Sequence, residues 1–219
     1  MVKDVKDTSC PGTRTTGSLR SMEVAAILSD SVRYSARLFE QLDKLFVLAV
    51  FSLIPLVNLL VLGYLVRVIR ESPVSSLLPP LDSWGRMFVD GINLLVISLC
   101  YTAAGIALSI ALFYMGSTGL ALLGTLIILL GFLLLPIAIV HYVRTGEPVR
   151  AFSLGEIWNI VSRRGSVDYF LFVIVIFVVP LPIFAVLILI PYLGWFLALL
   201  AVPVVGTFIA RASALAYGM

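Results

Sequence analysis

Three stretches of this chain, residues 45–66, 91–143 and 169–210, contain no Asp, Glu, Lys or Arg. Their lengths are 22, 53 and 42 residues. A helix rises about 1.5 Å per residue, so roughly 20 apolar residues cross a hydrocarbon core about 30 Å thick. A charged side chain costs about 3 kcal/mol at the bilayer centre, and clearing charge from whole segments is what a lipid solvent demands. The pattern predicts an all-α, polytopic transmembrane bundle with spans at about 45–66, 92–115, 120–143, 169–190 and 195–215.

Composition narrows the function classes. Apolar residues make up 61% of the 219 residues and charged ones 12%, against about 25% charged in soluble domains. That leaves one membrane domain, residues 22–219, with no sizeable soluble domain beside it. The net charge of +3 does not point to nucleic acid, because the N-terminal basic residues are interleaved with acids. Cys10 and Cys100 share no motif spacing, so neither a disulfide nor a metal site is expected. Residues 1–21, rich in Thr, Ser, Lys and Asp, read as a disordered polar tail without the apolar core of a secretory signal. Met22, where the composition changes, reads as an alternative start.

Residues 23–43 mix apolar positions at helical intervals with charges and suit an interfacial helix. In the stretch that follows, Pro55 and Asn58 interrupt the apolar run. It forms either one kinked crossing or a re-entrant pair of half-helices. Its length favours one crossing and hence five spans, with the N-terminus outside. The basic residues of that terminus argue against the placement. The two longer stretches divide at Gly116-Ser117-Thr118-Gly119 and at Pro191-Tyr192-Leu193-Gly194, giving tight helical hairpins with uncharged turns.

The charged connections, or elbows, repeat. Arg70 to Gly91 and Arg144 to Gly165 each run 22 residues, carry an early Pro-Val pair and place Trp84 or Trp158 seven residues before the final Gly. Interfacial helices are expected over 79–90 and 153–164. In the first, Leu81, Trp84 and Phe88 form an apolar stripe, with Asp82 and Arg86 off it. In the second, Ser153 and Glu156 have capping-box spacing, Leu154, Ile157, Trp158 and Val161 share a face, and Glu156, Asn159 and Arg163 lie opposite. Each hairpin crosses twice, so both elbows lie on one face and the repeat is parallel. Arg67, Arg70, Arg86, Arg144, Arg150, Arg163 and Arg164 assign that face and the C-terminus to the cytoplasm.

Groups for chemistry are few. His141 reads as a satisfied interfacial residue without a nucleophile beside it, and no acid lies inside the spans. Asn58, Asn93, Ser98, Thr102, Ser109 and Thr207 are expected to hydrogen-bond between helices. Ala103, Ala107 and Ala111, and Gly206, Ala210, Ala214 and Gly218, form small-residue stripes for close packing. Arg211 is expected to snorkel to the interface. No catalytic residue, cofactor or metal site is predicted.

The most distinctive run contains Gly63, Tyr64, Arg67, Leu78, Pro79, Asp82, Trp84, Phe88, Asp90 and Gly91. It resembles the family of prokaryotic, often archaeal, membrane proteins called domain of unknown function 4013, with a likeness from about Glu23 to the C-terminus. The resemblance implies a polytopic membrane domain and carries over no catalytic residue. It directs attention to the elbows, with Gly63, Tyr64, Arg67, Asp82, Trp84, Arg86, Asp90, Glu156 and Trp158 as a candidate network. Within it, Arg67, Arg86, Asp82 and Asp90 are expected to pair and hold the first elbow to its span. The leading expectation is a non-enzymatic scaffold, assembly or lipid-interacting component whose partners are membrane lipid, a second copy or another membrane protein. The alternative is a transporter or channel for a lipid-like or small uncharged solute. An intramembrane enzyme has little support.

Overall fold

A computed structural model describes residues 16–72, 74–114, 118–164, 166–191 and 193–218, all helix, turn or loop. Helix α1 is Thr16–Ala36, α2 Leu42–Leu53, α3 Pro55–Glu71, α4 Trp84–Tyr114 and α5 Thr118–Thr145. Helix α6 is Leu154–Arg164, α7 Ser166–Val178, α8 Leu181–Ile188 and α9 Leu193–Gly218. Among the described residues, four segments are long and apolar enough to cross a membrane: Trp84–Tyr114, Leu122–Thr145, Ser166–Ile188 and Leu193–Tyr217. The all-α polytopic class holds, with one span fewer than expected.

The missing span is residues 45–66. Ile54 leaves the helix at φ −103° and ψ 116°, the extended conformation that a following proline favours, and Pro55 opens α3 where its missing N–H costs nothing. The chain then reverses. Lys44, at the start of α2, donates to the Pro79 carbonyl at 3.3 Å, while Arg67, in the fourth turn of α3, donates to the Pro80 carbonyl at 2.7 Å. Helix ends meeting on adjacent residues make a hairpin. Each arm is also short, since the 12 residues of α2 reach about 18 Å. The re-entrant alternative is the one formed, with Leu53, Ile54 and Leu56 exposed at its tip.

The hairpin puts α1 at the elbow end. Tyr34 and Arg37 donate to the carbonyls of Leu77 and Ser76 in the first elbow, so the end of α1 and the charge of Arg37 lie with the elbow charges. Helix α1 starts at Thr16, six residues inside the segment read as a tail, and residues 1–15 lie outside the described ones. It packs on the C-terminal turns of α9, burying Ile27, Ser31 and Tyr34.

Glycines bring backbones into contact. A Cβ added at Gly63 would overlap the Met87 carbonyl, and one at Gly91 the Leu59 carbonyl, so α3 and α4 touch twice along antiparallel axes. Gly105 and Gly131 do the same between α4 and α5 against Ile128 and the Tyr101 carbonyl. The alanines 103, 107 and 111 instead face outward, because Gly105 occupies the contact face. In α9, Gly206 meets Leu65 and Ala210 and Ala214 are buried, while the surroundings of Gly218 lie outside the described residues.

The two elbows differ. Residues 79–83 are not helical and Trp84 begins α4 itself, so no separate interfacial helix forms over 79–90. Two prolines and Ser83, held at φ 55°, block it. The second elbow follows expectation, with a 3-10 turn at Pro148–Phe152 leading into α6. Proline breaks the third stretch between α7 and α8, and α8 buries no residue within the chain. The rings of Phe132 and Phe177, 4.4 Å apart and tilted by 43°, join the two hairpins, while α8 packs chiefly on α9.

The backbone contact at Gly63 gives a direct check. Gly63→Ala places a methyl against a main-chain atom that cannot give way and is expected to destabilise the protein by about 1–3 kcal/mol. Gly85→Ala, which meets nothing within 4 Å, leaves thermal unfolding in detergent unchanged. Equal melting of the two variants would contradict the close approach of α3 and α4.

Candidate functional site

The first elbow, between α3 and α4, has little internal pairing, so its carbonyls need donors from elsewhere. Side chains from four helices and the turn after α1 supply them. Arg211 of α9 donates to Ser72 and Ser75 at 2.6 Å each. Arg37 takes Ser76, Tyr34 takes Leu77 at 3.3 Å, Lys44 takes Pro79, and Arg67 takes Pro80. Arg67 also binds the carbonyl and carboxylate of Asp82. Pro79 and Pro80 explain why side chains are needed, since neither can donate a backbone N–H.

Arg211 is the centre of this hub. Only 6% exposed, it reaches Asp30 at 3.0 Å through Nε, and its guanidinium lies 4.6 Å from the Tyr34 ring centre. It therefore turns inward to α1 and α3 and does not snorkel outward. Ser72 closes the C-terminus of α3, so the cation also meets the negative end of that helix dipole. Burial pushes the Tyr34 hydroxyl up to about 12, against some lowering by Arg211.

The expected elbow network divides in two. Arg67 pairs with Asp82, whereas Asp90 pairs with Arg70 at 3.3 Å and accepts a hydrogen bond from Tyr142. Asn93 of α4 donates to the Tyr142 hydroxyl of α5 at 3.3 Å. Arg86 is exposed and has no partner among the described residues, so it does not belong to the network. Trp84 meets Phe51 edge-on at 5.8 Å. Tyr64 is fully buried, its hydroxyl unpaired among the described residues, and Gly63 is the helix contact described above.

Glu156 belongs to a second cluster. It binds His141 Nε2 at 3.0 Å and Arg150 at 2.9 Å, while His141 Nδ1 lies 2.9 Å from the Tyr217 hydroxyl. A neutral His141 with its proton on Nε2 donates to the carboxylate and accepts from the phenol. The cavity beside Tyr217, lined also by Ser213, Tyr169 and Pro136, holds about 10 Å³, the room of one water. Trp158 is exposed and joins neither cluster.

The polar groups of the spans turn inward on their own helices. Ser98, Thr102 and Thr207 donate to the carbonyls of Leu94, Ser98 and Val204 at 2.8–2.9 Å, where contacts between helices were expected. Asn93 does bridge two helices, and the Ser109 hydroxyl is buried without a hydrogen-bond partner among the described residues. Sequence reasoning missed Tyr34, Arg37, Lys44 and Arg211 as elbow donors. Arg211 carried one usable signal, as the sole charge after Asp168.

Two measurements follow. Arg211→Gln strips donors from two carbonyls, each worth about 1–3 kcal/mol, and should lower the melting temperature in detergent, whereas Arg86→Gln should not. The raised Tyr34 hydroxyl contributes stability that is complete below pH 10 and is lost as pH rises through about 12, because the unfolded chain releases the proton first. Tyr34→Phe should flatten that alkaline loss, and an unchanged profile would contradict the burial of the hydroxyl.

No curated protein and no solved structure matches the chain. A family model described as protein of unknown function (DUF4013) matches residues 47–216. The match begins inside α2, so α1 falls outside it and the likeness starts later than Glu23. It takes in both elbows, the re-entrant tip and all four apolar hairpin helices, and the chain belongs to the DUF4013 family.

Proposed function

We propose that the protein is a non-enzymatic assembly component of the cell membrane, in contact with lipid and offering its open helix faces to a second copy or another membrane protein. One observation carries this reading: the charged groups of the elbow hub are spent on holding backbone and one another, while the span hydroxyls of Ser98, Thr102 and Thr207 return to their own helices. That leaves no polar path of the kind a solute would follow among the described spans. The His141 cluster has the acid and base groups of catalysis, but the water-sized cavity beside it supports a structural role. The elbows, the end of α1 and the end of α9 are assigned to the cytoplasmic side, supported by Arg37, Lys44, Arg67, Arg70, Arg150 and Arg211, which all make contacts at that end.

Thiol labelling tests the reading against a transporter. Cysteines placed singly along α4 and α7, in a Cys10→Ser, Cys100→Ser background, should be protected from a membrane-impermeant reagent throughout the span. A continuous line of labelled positions would overturn the proposal and favour passage of a small uncharged or lipid-like solute. The same reagent applied to right-side-out cells should leave cysteines at Glu40 and Glu147 unlabelled until the membrane is opened, because both lie at the elbow end.

A further inference from the structure

The arginines of the second elbow are divided by use. Arg150 is spent on Glu147 and Glu156, whereas Arg144 and Arg163 are exposed without a partner among the described residues. Both acids of the segment are engaged, Glu147 by Arg150 and Glu156 by Arg150 and His141, so neither neutralises the free pair. From Arg144 to Gly165 four arginines stand against two glutamates, a net charge of +2. Helix α6 buries Ile157 and Val161 against the bundle and leaves Leu154 and Trp158 facing out, the indole 52% exposed. Val149 and Phe152 extend this apolar strip.

We propose that the second elbow is a binding surface for anionic phospholipid headgroups, Arg144 and Arg163 holding phosphate while Leu154 and Trp158 sit among the adjoining acyl carbons. This rests on the lipid-contacting reading above and names the lipid class. A guanidinium offers paired N–H donors that match phosphate oxygens, and an indole prefers the boundary where apolar and polar neighbours meet. A zwitterionic headgroup brings its own cation, which competes with arginine for the phosphate. An anionic one leaves the phosphate charge to the protein. The first elbow provides the contrast, because Trp84 and Arg86 are exposed there too, yet Arg70 to Gly91 holds two arginines against three acids.

The test uses the full-length protein in nanodiscs of phosphatidylcholine with a minority of phosphatidylglycerol, followed by native mass spectrometry of retained lipid. The wild type should retain phosphatidylglycerol above its bulk proportion. Arg144→Gln with Arg163→Gln should cut that enrichment about fivefold per arginine, and raised salt should reduce it in the wild type. Arg86→Gln should leave it unchanged, and all variants should melt with the wild type, since none of these side chains has a hydrogen bond or ion pair to lose among the described residues. Retention of both lipids in bulk proportion, or enrichment that survives the double substitution, would overturn the proposal. Such a result would leave the assembly reading standing, because that reading fails on thiol access and not on lipid preference.

Discussion

A carbonyl oxygen outside helix and sheet must find a donor, and at the edge of a bilayer water is an uncertain supply. The segment from Ser72 to Asp82 makes that demand on the rest of the chain, and its answer fixes the fold. Arg211, Arg37, Tyr34, Lys44 and Arg67 converge on it from sequence positions as far apart as 34 and 211. The elbow thereby becomes the point where α1, the re-entrant pair and α9 are joined. The glycine contacts act beside this clamp, Gly63 and Gly91 setting α3 close against α4 while Arg211 holds the end of α3 at Ser72.

The arrangement also accounts for where charge is tolerated. Arg211 stands at the end of a 42-residue apolar stretch, a costly place for a cation. Two carbonyls, the carboxylate of Asp30 and the face of Tyr34 surround it. Breaking such a set leaves a buried charge without compensation, which is why a single change there is expected to act through the whole bundle. The Glu156 cluster does a similar job on a smaller scale, tying α6 to α5 and, through Tyr217, to α9.

Much of this was legible in the sequence. Charge gaps identified the bundle and both long hairpins, and the capping spacing at Ser153 and Glu156 located α6. The short gap misled because 22 apolar residues satisfy one crossing and a folded-back pair equally well, and length alone does not separate them. Pro55 was the correct clue, but its effect depends on whether residues far along the chain hold the two arms together. Lys44 and Arg67 do so through Pro79 and Pro80, a contact with no local signature. Asp90 was rightly placed in an elbow pair but assigned among the wrong arginines, since a helix pattern shows which residues share a face and not which reach across to another helix. Arg211 looked like a terminal charge free to reach water, and only the packing of α1 over α9 turns it inward.

The reversal at Ile54 bears on how the chain enters a membrane. With two hairpins and a folded-back pair, the parts that must travel through the hydrocarbon during insertion are the turns following Tyr114 and Ile188 and the tip at Ile54, none of which bears a charge. No arginine, lysine, aspartate or glutamate of the described residues has to be dragged across. A single crossing by residues 45–66 would instead have required the charges of α1 to translocate, at about 3 kcal/mol for each group passing the centre. Proline at position 55 thus turns the chain back so that the charges of Lys44 and Arg67, on either side of an uncharged tip, stand together at one end of the apolar helices.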